Sequence, residues 1–168
     1  MMIATLMTTH VATVRMDEPL STAAERMWTR DCGVLPVIDT DERVVGMVTD
    51  RDICMSTWMN GCAPQALNVA TAMSRSLHSC SPDDSLDAAE QLMRENQIRR
   101  LPVVDRGGKL VGILSLADIV REAQRERARG QKEVAPAEVT ATLANICEPA
   151  VELGLGTRQS DGHTRAGL

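Results

Sequence analysis

The sequence predicts an α/β (α+β) chain made of two strand–helix–strand–strand–helix units in tandem, and three observations carry that prediction. The apolar run Val44-Val45-Gly46-Met47-Val48 stops at Thr49 and passes into the charged turn Asp50-Arg51-Asp52-Ile53. The same pattern returns as Leu110-Val111-Gly112-Ile113-Leu114, then Ser115, then Leu116-Ala117-Asp118-Ile119. Residues Met7 to Cys54 lie over Met73 to Val120 at a constant offset of 66 without a gap. Asp17 falls on Asp83, Leu20 on Leu86, Ala23 on Ala89, Met27 on Met93, and Leu35-Pro36-Val37 on Leu101-Pro102-Val103; such a repeat sets the architecture before any local reading. At 168 residues, 43% hydrophobic and 24% charged, the chain has the composition of a folded protein and the length for two very small repeats sharing one core.

The first repeat is taken as 7–63, the second as 73–129, and a C-terminal extension as 130–168. In the first repeat Asp17 and Glu18 precede Pro19 at a first turn. Leu20, Ala23, Ala24, Met27 and Trp28 then recur at helical spacing, which predicts an amphipathic helix. Val34 to Ile38 and Val44 to Val48 flank the polar loop Asp39 to Arg43 and read as two short strands in a hairpin-like connection. A helix follows from Thr49. In the second repeat Leu86, Ala89, Leu92 and Met93 mark the helix, Leu101 to Val104 and Leu110 to Leu114 the strands, and Gly107-Gly108 the turn.

Pro36 and Pro102 sit inside predicted strands, where a missing N–H is tolerated at an edge or at the first residue. Their equivalence points to a backbone shaped to leave groups free. Asn60 to Asn68 connects the repeats and Val69 to Met73 leads into the second. After Ile119 the helix runs on to Arg129 and stops at Gly130, with pairs such as Glu122 and Arg125 making a solvated face. Pro136 to Cys147 predicts one more short helix, with Val139, Leu143 and Ile146 on its apolar side and Pro149 ending it. From Gly154 the tail is polar and Gly-rich, and weak order is expected there.

Composition excludes several classes of function. Trp28 and Trp58 are the whole aromatic complement, so ten Met with many Val and Leu must fill the core. A formal net charge of −5 argues against a nucleic-acid or anionic-membrane surface, which needs a dominant basic patch. Cys32, Cys54, Cys62, Cys80 and Cys147 are odd in number and contain no Cys-x-x-Cys pair. Neither a disulfide framework nor a zinc knuckle is indicated, and a reducing cytoplasm suits them. No apolar run approaches a membrane span, and Met1 to Leu6 lacks the basic flank of a secretory signal.

The chemistry concentrates at the two strand-to-helix junctions. Ser or Thr followed three positions later by an acid is a capping box, so Thr49 with Asp52 and Ser115 with Asp118 each open a helix. The backbone N–H groups at such a junction carry partial positive charge and can dock an anion or a polar ligand edge. The plainer reading is that both pairs only cap their helices, with the acids set against the helix dipole. Duplication of the junction favours the first reading.

Cys32 to Asp39 with Gly46 to Ile53, and Ile98 to Asp105 with Gly112 to Ile119, make the sequence similar to the cystathionine-β-synthase (CBS) domain family in its tandem form, the Bateman module. The resemblance covers about the first three quarters of the chain. It implies two repeats related by a pseudo-two-fold, with small mixed sheets packed on helices and two clefts that take adenosine-containing ligands such as AMP, ADP, ATP or S-adenosylmethionine. By the same resemblance Asp52 and Asp118 would accept hydrogen bonds from ribose hydroxyls, which a carboxylate suits. Thr49 and Ser115 would lie nearer the phosphate. Gly33, Val34, Leu35 and Pro36, and Arg99, Arg100, Leu101 and Pro102, would line the adenine; Thr13 and Val14, or Ser79 and Cys80, would close the other side.

The copies differ in charge. Arg99-Arg100 stands where the first copy has Gly33-Val34, which places phosphate-compensating charge at the second cleft, whereas Arg51 belongs to the first and is replaced by Ala117 in the second. The function expected is a non-enzymatic, stand-alone regulatory module that binds an adenine nucleotide, needs no obligatory cofactor or metal, forms a homodimer and passes a change of shape or assembly to another protein. A dimerisation module with empty clefts is the structural alternative. An enzyme or redox switch built on His10, His78, His163 or the cysteines lacks a His-Cys-acid constellation.

Overall fold

The computed structural model describes residues 1–130 and 136–147. The first repeat contains strand β1 (Val14–Arg15), helix α1 (Leu20–Thr29), strands β2 (Val34–Ile38) and β3 (Val44–Thr49) and helix α2 (Asp50–Asn60). The second contains helix α3 (Leu86–Asn96), strands β4 (Arg100–Val104) and β5 (Leu110–Ser115) and helix α4 (Leu116–Arg129), followed by helix α5 (Pro136–Cys147). The tail from Gly154 lies outside the described residues, as does Pro149.

Each repeat is a small sheet on two helices, and the first sheet is mixed. β1 runs parallel to β2 with Val14 opposite Val37, and β2 pairs antiparallel with β3. β4 and β5 form the second hairpin in the register of the first, Pro102 facing Ile113 as Pro36 faces Met47. The strand expected before α3 is reduced to a bridge between Cys80 and Val103. Proline ends the ladder on the side before Cys80. Cys80 N donates to Pro102 O (3.1 Å) and Val104 N to Cys80 O (2.9 Å). The next rung of that parallel ladder would need a Pro102 N–H donating to the carbonyl of His78, and proline has none. Pro36 stops β1 in the same way, so the backbone before Val14 and before Cys80 stays out of the sheet.

A feature absent from the sequence reading ties the repeats together: each lends its leading segment to the other. Thr8 bridges Ile113 of β5, with mutual N–H to O bonds of 2.9 Å, and Ser74 bridges Met47 of β3 with bonds of 2.8 and 3.1 Å. Ile3 is fully buried in the second repeat's core beside Leu101 and Leu114, whereas Val69, its equivalent, is fully buried in the first beside Leu35 and Val48. The hairpin tips also meet, through a bridge between Arg43 and Lys109 and the bond from Val44 N to Gly108 O (3.1 Å). Arg43 and Lys109 are equivalent positions, so this contact lies at the pseudo-two-fold.

Two expectations about apolar helix faces need correction. Trp28 does not join Leu20, Ala23 and Met27 in the core; its side chain is 90% exposed. On α5, Val139 and Thr142 are buried and Leu143 is exposed, so Thr142 takes the inward position that spacing assigned to Leu143. Both residues lie at the edge of their helix's apolar stripe, where a shift of one position in 3.6 changes side. Among the described residues, no helix is long and apolar enough to cross a membrane.

Candidate functional site

The two strand-to-helix junctions are built alike. β3 ends at Thr49 opposite Val34 and β5 at Ser115 opposite Arg100, which sets the hydroxyl beside the first residue of the neighbouring strand. The helix is then tied back to the segment before that strand, by Asp50 N donating to Gly33 O (3.2 Å) and Leu116 N to Arg99 O (2.9 Å). Segments 33–36 and 99–102 are therefore held against the capping boxes. Of these residues Val34, Leu35, Pro36, Leu101 and Pro102 are buried, Gly33 is half-buried, and the Arg99 and Arg100 side chains are exposed without a hydrogen bond or ion pair among the described residues.

At the first junction the capping box is complete. Asp52 N donates to Thr49 Oγ1 (3.1 Å), while Thr49 N and Thr49 Oγ1 both donate to Asp52 Oδ2 (3.0 and 2.7 Å). Asp52 Oδ1 has no hydrogen bond among the described residues. At the second junction Ser115 N (2.8 Å) and Ser115 Oγ donate to Asp118 Oδ2, and Arg121 Nη2 donates to Asp118 Oδ1. Both oxygens of Asp118 are thus engaged. Met55 occupies the position equivalent to Arg121 in the first repeat, so this difference was readable from the repeat alignment but needed the geometry to give it meaning.

Arg121 belongs to a polar cleft of about 240 Å³ lined by Thr5, Leu6, Thr8, Asp118, Glu122 and Arg125. The exchanged N-terminal segment supplies one wall. Arg125 pairs with Glu122 at 3.3 Å. The positive charge closest to Asp118 is thus carried by α4, a source that sequence reasoning did not use.

The residues expected to close the clefts lie where the parallel ladder stops. Val14 and Cys80 are buried, and Thr13 and Ser79, just before them, are half-buried. The carbonyl of Thr13 accepts from Arg26 Nη1 (2.8 Å), and Arg26 is held by both Glu18 oxygens (2.6 and 2.8 Å). Burial alone would raise the Glu18 carboxyl, but the hydrogen bonds from Arg26 and the Arg15 amide, with the Arg26 charge, hold it below its usual value. Leu92 stands where Arg26 stands, so only the first cleft has this brace. Arg51 is exposed on the first turn of α2.

A separate cavity of about 400 Å³ lies between α1 and α2, lined by Ala24, Met27, Trp28, Asp31, Cys32, Gly33, Asp50 and Ile53. It shares Gly33 and Asp50 with the first junction, whereas Thr49 and Asp52 do not line it. Among the described residues, no three His, Cys, Asp or Glu side chains come together in a way that could hold a metal ion.

A family model described as CBS domain matches residues 3–56 and 69–125, which contain both Ser/Thr-x-x-Asp junctions and both strand prolines. The chain belongs to the CBS domain family. It is 43% identical over 113 residues to the CBS domain-containing protein YhcV of Bacillus subtilis, covering 67% of this chain and 79% of that one. It is 34% identical over 116 residues to Hypoxic response protein 1 of Mycobacterium tuberculosis, covering 69% and 80%. The crystal structure of Hypoxic Response Protein I with two coordinated zinc ions superposes with a TM-score of 0.66 at 32% identity, covering 72% of this chain and 98% of that one. CBSX2 in complex with AMP superposes with a TM-score of 0.66 at 29% identity, covering 75% and 98%. This CBS pair carries its N-terminal exchange, its two hairpins and both junctions within the matched residues.

Proposed function

We propose that this CBS pair is a stand-alone, non-enzymatic regulatory module of the cytoplasm that binds an adenine nucleotide at its strand-to-helix junctions and signals by a change of conformation or assembly. The observation that carries this reading is Asp52. Its Oδ2 is locked by Thr49, which fixes the carboxylate in place, and its Oδ1 is left to accept from a ligand. A fixed, charge-assisted acceptor with one open oxygen fits a ribose diol. The N–H groups of Asp50, Arg51 and Asp52 already have partners within the protein, so phosphate charge falls to a side chain.

In this reading Gly33 to Pro36 offer backbone groups and aliphatic faces to an adenine, Thr13 and Val14 close the far side, and Arg51, exposed on the first turn of α2, meets the phosphate. The second site uses Ser79, Cys80, Arg99 to Pro102, Ser115 and Asp118 in the same roles. There Arg121 already satisfies Asp118, and this favours a second reading in which one cleft binds tightly and the other is weak or structural. AMP, in the name of the CBSX2 complex, supports the nucleotide class; ADP, ATP and S-adenosylmethionine share the adenosine that these groups address. A homodimer and a regulated protein partner complete the proposal.

Thermal unfolding with 1 mM AMP, ADP, ATP, NAD or S-adenosylmethionine tests it. A ligand present at about 100 times its Kd adds about 2.7 kcal/mol to stability, a rise in Tm of about 5 °C or more for a chain of this size. No shift with any of them, against an intact two-state transition, leaves the dimerisation module with empty clefts as the function.

A further inference from the structure

The two junctions share a capping box and differ one turn further along the helix. Asp118 gives Oδ2 to Ser115 and Oδ1 to Arg121 Nη2. Asp52 gives Oδ2 to Thr49 and keeps Oδ1 without a hydrogen bond among the described residues. The Asp118 side chain is 10% exposed and that of Arg121 57% exposed, so a largely buried carboxylate is met by a cation that reaches it from the surface.

The surroundings of the two acids divide in the same way. Arg121, Glu122 and Arg125 line the polar cleft beside Thr5, Leu6 and Thr8. Glu122, the acid next to Arg121 in that cleft, is already committed to Arg125 at 3.3 Å and does not draw Arg121 away. At the equivalent positions of the first repeat stand Met55, Ser56 and Met59, none of them charged. Residues three apart face each other on a helix and adjacent ones do not. Arg51, the one cation of α2, adjoins Asp52 and therefore does not do there what Arg121 does at Asp118.

We propose that Arg121 is a built-in occupant of the second junction: it takes the place on Asp118 Oδ1 that a ribose hydroxyl would take, so that the chain holds one nucleotide tightly, at Asp52, and this side chain sets that number. The inference rests on the nucleotide reading above and adds the residue that decides between the clefts. A ribose arriving at Asp118 breaks one charge-assisted bond to form another, whereas at Asp52 it displaces only water from an open oxygen. The difference weakens the second cleft by about 10- to 100-fold relative to the first.

Titration calorimetry of the full chain with AMP, and separately with ATP, tests the assignment. The wild type should take one equivalent tightly. Arg121→Met, which copies the first repeat, should take two, and the second should be lost again in the double variant Arg121→Met with Asp118→Asn. Met55→Arg, which copies the second repeat onto the first, should weaken the tight site by about 10-fold or more. Both positions are exposed, and a site gained in Arg121→Met cannot come from a chain that fails to fold. Two equally tight equivalents in the wild type, or a single one in Arg121→Met, overturns the inference and leaves the nucleotide reading standing. Absence of binding of either nucleotide to the wild type and to Arg121→Met alike overturns the nucleotide reading and the inference with it.

Discussion

The carbonyl oxygen of Ser74 lies so close to Gly46 that a Cβ on that glycine would stand 2.5 Å from it. Gly112 is crowded by the equivalent segment, with Met7 Sδ at 2.7 Å and Thr8 O at 3.0 Å from a Cβ. The repeated glycine in the apolar run is thus where the other repeat's leading segment passes over the hairpin. Gly46→Ala meets backbone and should cost about 1–3 kcal/mol. Gly112→Ala meets chiefly a flexible Met side chain and should cost less. Urea unfolding of the two variants checks the order.

Ile3 anchors the exchange. Its side chain is fully buried among residues of the second repeat, so Ile3→Ala should destabilise the protein by about 2–5 kcal/mol. Hydrogen exchange should show the loss first in β4 and β5. Protection lost first in β2 and β3 would contradict the exchanged packing.

Glu18 makes the acid limb of stability specific. Its carboxyl is held below the ordinary 4.5, so the folded state binds its proton less readily than the unfolded state does. The stability this adds is present in full above about pH 4.5 and is lost as pH falls through the lowered value. Glu18→Gln should therefore lower Tm at pH 7, with a cost of about 1 kcal/mol, and the gap from the wild type should narrow as the pH is taken down through the carboxylate range. A gap that is constant with pH would separate the effect from ionisation.

Asp52 and Asp118 should differ as ligands for a nucleotide. From the sequence, Arg99 and Arg100 place the greater loss for a polyphosphate ligand at Asp118, with Arg51 able to reverse that order; the Arg121 contact with Asp118 favours the reversed order. Asp52→Asn should cost about 1.5–3 kcal/mol in nucleotide affinity, and Asp118→Asn less, by calorimetry on a nucleotide the wild type binds. If both acids only cap, each change lowers stability by about 0.3–1 kcal/mol and leaves affinity untouched.

Cys80 should be inert where Cys54 and Cys147 react. Burial and the nearby Asp84 charge push its thiol up to about 11, whereas the other two are exposed, and the thiolate is the reactive species. Alkylation at pH 8 should label Cys54 and Cys147 and reach Cys80 only on unfolding, as read by peptide mass.

The repeat, its helices and hairpins, the family and the two capping boxes were all legible in the amino-acid sequence, because they depend on local periodicity, on turn residues and on spacings of three or four positions. Pro36, expected at an edge or at a strand's first residue, instead lies inside β2, the middle strand of its sheet, with its missing N–H on the β1 side where that ladder ends. What only the tertiary structure decided is which repeat a segment serves. Nothing local distinguishes Ile3 in its own core from Ile3 in its neighbour's, because burial satisfies either, and the choice is made by how the two sheets sit about their pseudo-two-fold. The same holds at the junctions. Asp52 and Asp118 look identical in sequence, and it is the reach of Arg121 back along one helix turn that engages one carboxylate oxygen and leaves the other open.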